Sequence, residues 1–238
     1  MSSSRSVTSG AARALRPYVI CHTAPSVDGR IVTGGWRLPR DLVSEYERTA
    51  SSFRAGAWII GRVSMEPYAG HPVVPAGSGA ARIPRTDFVA DPDAPSYAIA
   101  IDARGKLRWK KGYIDGEHAV AVLCEEVPDR YLAFLRARGV SYIFGGKKRI
   151  DLPWVLRKLR VHFRIRKLLL EGGGKINGSF LAVDAIDELS LLYVPLADGG
   201  IGTATLFDAR EGPGPARPLR LLSPRPATHP MEEPFLIK

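Results

Sequence analysis

The sequence predicts an α/β fold built on a mainly parallel sheet flanked by helices, with antiparallel strands at its C-terminal end. Three observations carry this. Short, continuously apolar runs recur at residues 17–21, 57–60, 119–123 and 168–170, as expected of strands covered on both faces. Amphipathic stretches of helical spacing lie between them, the alternation that parallel crossovers require. Finally, the run Leu168–Leu170 ends in Glu171 and then Gly172, Gly173 and Gly174, before Ile176, Phe180 and Leu181 fall on one helical face. That is a strand, a tight glycine turn and a helix N-terminus, one of the commoner ways to hold a phosphate.

Taken in order, RPYVICH (16–22) reads as the first strand, and Asp28-Gly29 as the turn after it. Leu42, Val43, Tyr46, Ala50 and Phe53 form the apolar face of a helix over 39–54, with Glu45, Glu47 and Arg48 opposite. Ala57–Gly61 is a buried strand, and Arg62–Glu66 opens a helix or turn. Residues 67–96 are a long Pro/Gly-rich loop, in which solvent exposure is the better reading of Arg82 and Arg85 than contact with an anionic substrate. Strands are predicted over 97–102, 119–123 and 140–144, with a short helix over 129–138. Asp151 is a suitable N-cap for a further helix through Val155, Leu156 and Leu159. After the glycine turn, residues 186–197 read as a long central strand, 198–203 as a second glycine loop, and 219–222 and 234–238 as antiparallel edge strands.

The 238 residues suit one domain over 16–238, preceded by a disordered leader at 1–15 that has serines and arginines but no apolar core. Cys21 and Cys124 lie in apolar runs and fit buried thiols in a reducing cytosol, so a cytoplasmic protein is expected. No apolar run approaches the ~18–20 residues of a membrane span. The net charge of +10 is concentrated in Lys147–Lys167, where Asp151 is the single acid. This run reads as the solvated face of an amphipathic helix. No RNP, helix-turn-helix or zinc-finger pattern accompanies it, which leaves nucleic-acid binding a minor reading.

Nucleophilic catalysis finds little support: there is no G-x-S-x-G, His is scarce, and no metal-type Cys/His spacing occurs. Asn177 stands where G-x-G-x-x-G would need its last glycine, so the standard dinucleotide fingerprint is not matched. A tight turn with no ligand is the alternative to a phosphate cradle. What remains is a phosphate-binding turn on a basic background, which suits a nicotinamide cofactor and an anionic substrate.

Several motifs then occur in a telling order: Arg16-Pro17-Tyr18-Val19, Ser26-Val27-Asp28-Gly29-Arg30, Phe53-Arg54-Ala55-Gly56-Ala57, Gly61-Arg62-Val63-Ser64, and Glu171-Gly172-Gly173-Gly174-Lys175-Ile176-Asn177-Gly178. Asp187-Glu188-Leu189, Pro195 and Gly199-Gly200 follow them. In these the chain resembles the reductase domain of riboflavin biosynthesis, a relative of dihydrofolate reductase, over roughly residues 16–238. The resemblance implies a dihydrofolate-reductase-like fold that binds NADPH at the carboxyl ends of its parallel strands, as a homodimer. It implies reduction of the ribosylamino side chain of a pyrimidine 5′-phosphate to the ribitylamino form. By position, Ala24 would line the nicotinamide end of the site. Gly61, Arg62, Ser64, Gly172, Gly173, Gly174, Lys175, Ile176 and Asn177 would hold the cofactor's phosphates and ribose. Ser26, Asp28 and Arg54 would contact substrate with Glu171, and Glu171 would orient it or handle a proton. Arg62, with Arg104 behind it, is the nearest cation for the 2′-phosphate. The chain departs from the family at His22, where many members carry Lys, and at Met65-Glu66-Pro67, where the family often has D-D-P. A pterin or other small-molecule reductase on the same fold, and a non-catalytic nucleotide or nucleic-acid binder, remain open.

Overall fold

The computed structural model describes residues 15–38, 40–70, 82–208 and 216–222. The expected leader (except Leu15) and the strand expected at 234–238 lie outside them. Eight strands form one sheet: β1 (Tyr18–Thr23), β2 (Ala57–Gly61), β3 (Tyr97–Ile101), β4 (Tyr113–Ile114), β5 (Glu117–Cys124), β6 (Ser141–Gly146), β7 (Lys167–Leu170) and β8 (Glu188–Leu191). Their order is β8-β1-β7-β2-β3-β5, where β5 carries β6 along most of its far edge and β4 at its start. Every pairing is parallel except β4–β5.

The helices are α1 (Leu42–Ser52), α2 (Arg62–Ala69), α3 (Asp129–Ala137), α4 (Leu152–His162) and α5 (Gly174–Ala182). The period-2 alternation of the strands divides the core between two faces. Val19, Cys21, Ile59, Ile99 and Val122 pack with Leu156 and Leu159 of α4 and Phe180 of α5. Ala98, Ala100, Ala121 and Leu123 pack on the other face with Met65 of α2 and Leu132 and Leu135 of α3. Ile20 and Leu169 meet Ala50 and Phe53 where α1 crosses that same face. Asp151 caps α4 as expected, accepting from the Trp154 N–H at 3.0 Å. No helix of the described residues is long and apolar enough to cross a membrane.

Three expectations are corrected. The long central strand over 186–197 is instead the four-residue β8 at the sheet edge, paired only with β1. Beyond Leu191 the chain turns to meet the segment after β1, and Pro195 has no N–H to continue a ladder. Residues 219–222 are exposed and form no strand. The antiparallel element is the β4–β5 hairpin, whose two-residue loop, Asp115 and Gly116, has φ of 47° and 90°. Positive φ at both positions is what a tight hairpin matching the strand twist requires. The described part of the long loop follows β6, where Phe88 and Tyr142 exchange backbone hydrogen bonds of 2.9 and 2.8 Å. Arg85 is spent there on Asp129.

Candidate active site

Parallel pairing brings the carboxyl ends of β1, β2 and β7 to one level, because Leu170 stands opposite both Cys21 and Ile59. The residues just beyond these ends therefore converge: Ala24 after β1, Gly61 at the end of β2, and Glu171 with the glycines after β7. Gly61 is the N-cap of α2 and Gly173 that of α5, and neither start has a side-chain cap. Two helix N-termini with N–H groups to spare thus lie side by side, an arrangement suited to anionic groups.

The glycines divide by task. A Cβ at Gly61 would come within 2.9 Å of Ile176, and one at Gly172 within 2.8 Å of the same side chain. Ile176 is wedged between the two turns, and both positions need glycine for packing. A Cβ at Gly174 would collide with Asp208 and the Thr205 carbonyl. Gly173 differs, since a Cβ there would meet nothing within 4 Å. Its open side lies at the start of α5. Asn177 is fully buried, its Nδ2 donating to the Leu206 carbonyl at 3.2 Å while its Oδ1 has no partner. Lys175 and Ser64 are exposed in the first turns of the two helices. Arg62 ion-pairs with Glu66 along α2, and Arg104 is exposed in the turn after β3.

Glu171 points to the α1 side of the sheet, where burial pushes its carboxyl up to about 7; the acids Glu47 and Glu117 add to the rise, and a hydrogen bond from Tyr46 opposes it. Tyr46 also donates to the His22 carbonyl at 3.1 Å, and its ring stacks on the His22 imidazole with centroids 4.2 Å apart. His22 is wholly buried, with Nδ1 3.1 Å from the Ser190 hydroxyl and Nε2 3.3 Å from the Tyr46 carbonyl; burial lowers its pKa. Tyr46 is the member of this group that sequence reading misses. A tyrosine on the apolar face of a helix gives no sign that its ring and hydroxyl both end on a histidine of the first strand.

Ser26 and Asp28 form one hydrogen-bonded unit after β1. The Ser26 hydroxyl donates to Asp28 at 2.6 Å and accepts from the Arg30 N–H at 2.9 Å. Asp28 in turn accepts from the N–H groups of Asp198 and Gly199 at 3.0 and 2.9 Å; the Ser26 hydroxyl first, and then these two N–H groups, hold its pKa far below the usual carboxylate range. The second glycine loop is therefore strapped to the turn after β1, and Trp36 adds a 2.6 Å bond to Asp198. Arg54 is not brought to the site. It follows α1 and precedes β2, at the amino ends of the strands, exposed and with φ of 51°. The five residues of β2 separate it from the glycine turn by about 15 Å.

Comparisons with known proteins agree with this geometry. The family model of the RibD C-terminal domain matches residues 17–222. A Methanothermobacter thermautotrophicus protein named 2,5-diamino-6-ribosylamino-4(3H)-pyrimidinone 5′-phosphate reductase is 27% identical over 195 residues, covering 82% of this chain and 85% of its own. An Archaeoglobus fulgidus protein of the same name is 24% identical over 198 residues, 83% of this chain and 89% of its own. Among solved structures, a pyrimidine reductase-like protein from Corynebacterium diphtheriae superposes with a TM-score of 0.61 at 12% identity, over 87% of this chain and 86% of that one. Acinetobacter baumannii RibD superposes with a TM-score of 0.53 at 18% identity, over 83% of this chain and 51% of that one, so this chain spans about half its length. At these identities the structures speak for the fold alone. The α/β fold is dihydrofolate-reductase-like, as expected, and the chain belongs to the RibD C-terminal domain family.

Proposed function

We propose that the protein is an NADPH-dependent reductase that converts the ribosylamino side chain of a pyrimidine 5′-phosphate to the ribitylamino form. The observation that carries this reading is the half-buried Glu171 beside two uncapped helix N-termini at the carboxyl edge of a parallel sheet. Family membership and the names of the two relatives support it.

The residues present fit the cofactor. The open side of Gly173, the free first turns of α2 and α5, and the exposed Lys175 and Ser64 form a cradle for a pyrophosphate and its ribose. Arg62 lies at the same edge, in reach of a 2′-phosphate if it leaves Glu66. Ala24 closes the end toward β1. When bound, the nicotinamide supplies the hydride that reduces C1 of the sugar. Opening the ribose also calls for a proton on the ring oxygen, which becomes a hydroxyl. Glu171 is the group that can hold that proton, because its burial keeps the acid form populated near neutral pH. The substrate phosphate is not assigned to Arg54. A homodimer is the expected assembly.

A cofactor titration followed by a substrate panel tests this. NADPH, and NADH much less, is expected to raise the melting temperature, and the ribosylaminopyrimidine phosphate to drive the loss of reduced-nicotinamide absorbance. Faster turnover of a pterin, or salt-steep RNA binding without an NADPH shift, would overturn the reading.

A further inference from the structure

Residues 203–208 bond on one side to the turn after β1 and on the other to the start of α5. Toward β1, the Ile31 N–H donates to the Ala204 carbonyl at 3.2 Å and the Leu206 N–H to the Gly29 carbonyl at 3.1 Å. The Arg30 guanidinium adds a bond of 2.9 Å to the Thr203 carbonyl. Toward α5, the Asp208 N–H donates to the Gly174 carbonyl at 2.9 Å, and Asn177 Nδ2 to the Leu206 carbonyl at 3.2 Å. The segment closes on itself through the Asp208 side chain. Its Oδ1 accepts from the Thr205 hydroxyl at 2.6 Å, and both carboxylate oxygens face the Thr205 N–H, at 3.3 and 3.2 Å. A carboxylate can only accept, and its charge makes such bonds short and strong. Phe207 packs on the core cluster that includes Phe180 of α5. The fit against α5 is tight, since a Cβ on Gly174 would fall 2.3 Å from both Asp208 Oδ2 and the Thr205 carbonyl oxygen.

We propose that Asp208 is a positioning residue of the cofactor cradle: closed on Thr205, it makes residues 203–208 a clamp that holds the glycine turn in place against the turn after β1. The sheet alone does not do this. Strands β1 and β7 pair only as far as Cys21 and Leu170, and beyond them each chain leaves the ladder. Among the described residues no backbone hydrogen bond joins the two turns directly, and the clamp is bonded to both. Asp208 acts through Thr205 and Gly174 and not on the ligand. A cradle of backbone N–H groups binds well only when those groups are already held, so losing the clamp costs cofactor affinity and not chemistry. The ligand in this proposal rests on the reductase reading, whereas the clamp itself does not.

Amide hydrogen exchange without cofactor, and calorimetric titration with NADPH, test this on Asp208→Ala, Thr205→Val and Asp208→Asn. Asp208→Ala should speed exchange about tenfold or more over residues 174–177 and leave α4 unchanged. It should also weaken NADPH binding about tenfold and raise the KM for NADPH alike, with kcat held within about twofold. Thr205→Val keeps the shape and removes the hydroxyl, so a smaller loss in the same direction is expected. Combined with Asp208→Ala it should add little, because the two residues act as one unit. Should Asp208→Ala fail to fold, Thr205→Val carries the same comparison. Asp208→Asn keeps an oxygen at the Oδ1 position for both Thr205 donors and should restore most of the affinity. A lower melting temperature with unchanged NADPH affinity would show a structural role alone and overturn the proposal. Asp208→Asn binding as weakly as Asp208→Ala would do the same. If wild type binds no NADPH the reductase reading falls, and exchange by itself decides whether Asp208 holds the glycine turn.

Discussion

Glu171 owes its protonation behaviour to its surroundings, and this has two measurable consequences. The first is catalytic: Glu171→Gln keeps the shape and loses the titrating proton, and kcat is expected to fall by about 10²–10⁴ in a nicotinamide-oxidation assay. The second is thermodynamic. The folded carboxyl titrates at about 7 against an ordinary 4.5, so between these values the native state binds the proton and the unfolded chain does not. Stability from this group is therefore full below about pH 4.5 and declines as pH rises through 7, by up to about 3 kcal/mol. In denaturant melts from pH 5 to 8, wild type should lose stability relative to Glu171→Gln. Parallel curves would show that burial of Glu171 costs the fold nothing. The hydrogen-bonded Asp28 has the opposite sign, since its depressed pKa gives stability that is full above the ordinary carboxylate range and declines as pH falls below it.

At the scale of the element, the glycine turn separates packing from binding. Gly173 has φ −69° and ψ 171°, a backbone that any residue adopts, and a side chain there meets open space. Gly173→Val should therefore leave stability within about 0.5 kcal/mol and abolish the NADPH-induced thermal shift. Gly172→Ala, pressing on Ile176, should cost about 1–3 kcal/mol in urea unfolding. Similar losses from both variants would show that the open side of Gly173 has no special role. The N-terminus of α4 offers a control remote from the site: Asp151→Ala removes the cap on Trp154 and should cost about 1 kcal/mol with no change in cofactor binding.

For the whole molecule, the weak point is the edge on which β8 sits. Four residues bonded to β1 would hold poorly by themselves, and Asp187 secures them. It accepts from the Arg16 guanidinium at 2.6 and 3.0 Å and from the Val19 N–H at 2.9 Å, with both charged side chains largely buried. Asp187→Ala leaves Arg16 charged in that position and should cost about 3 kcal/mol in equilibrium unfolding. β8 also carries Ser190, which orients His22, so the same variant should loosen the packing of Tyr46 on His22. Of the basic run, Lys147, Lys148 and Arg149 precede α4, Arg157, Lys158 and Arg160 lie on it, and Arg164, Arg166 and Lys167 follow it. Arg157 is exposed as a solvated face requires, whereas Lys158 is largely buried in an ion pair with Asp87.

The pattern of residues alone determined the parallel sheet, the order of most elements, the α4 cap and the glycine turn. Each of these is written in local periodicity or in a residue type that one backbone conformation demands. The tertiary structure decided what depends on distant parts of the chain meeting. It placed Arg54 at the wrong end of the sheet for Glu171, because which end of a strand a residue precedes becomes a distance only after the strands pair. It reduced 186–197 to an edge strand, because a sheet position is set by partners and not by apolar content. It used Asp28 to strap a loop 170 positions away. And it set Tyr46 against His22 and half-buried Glu171 beyond β7, because burial and contacts across the fold, neither visible in sequence spacing, govern where a carboxyl keeps its proton.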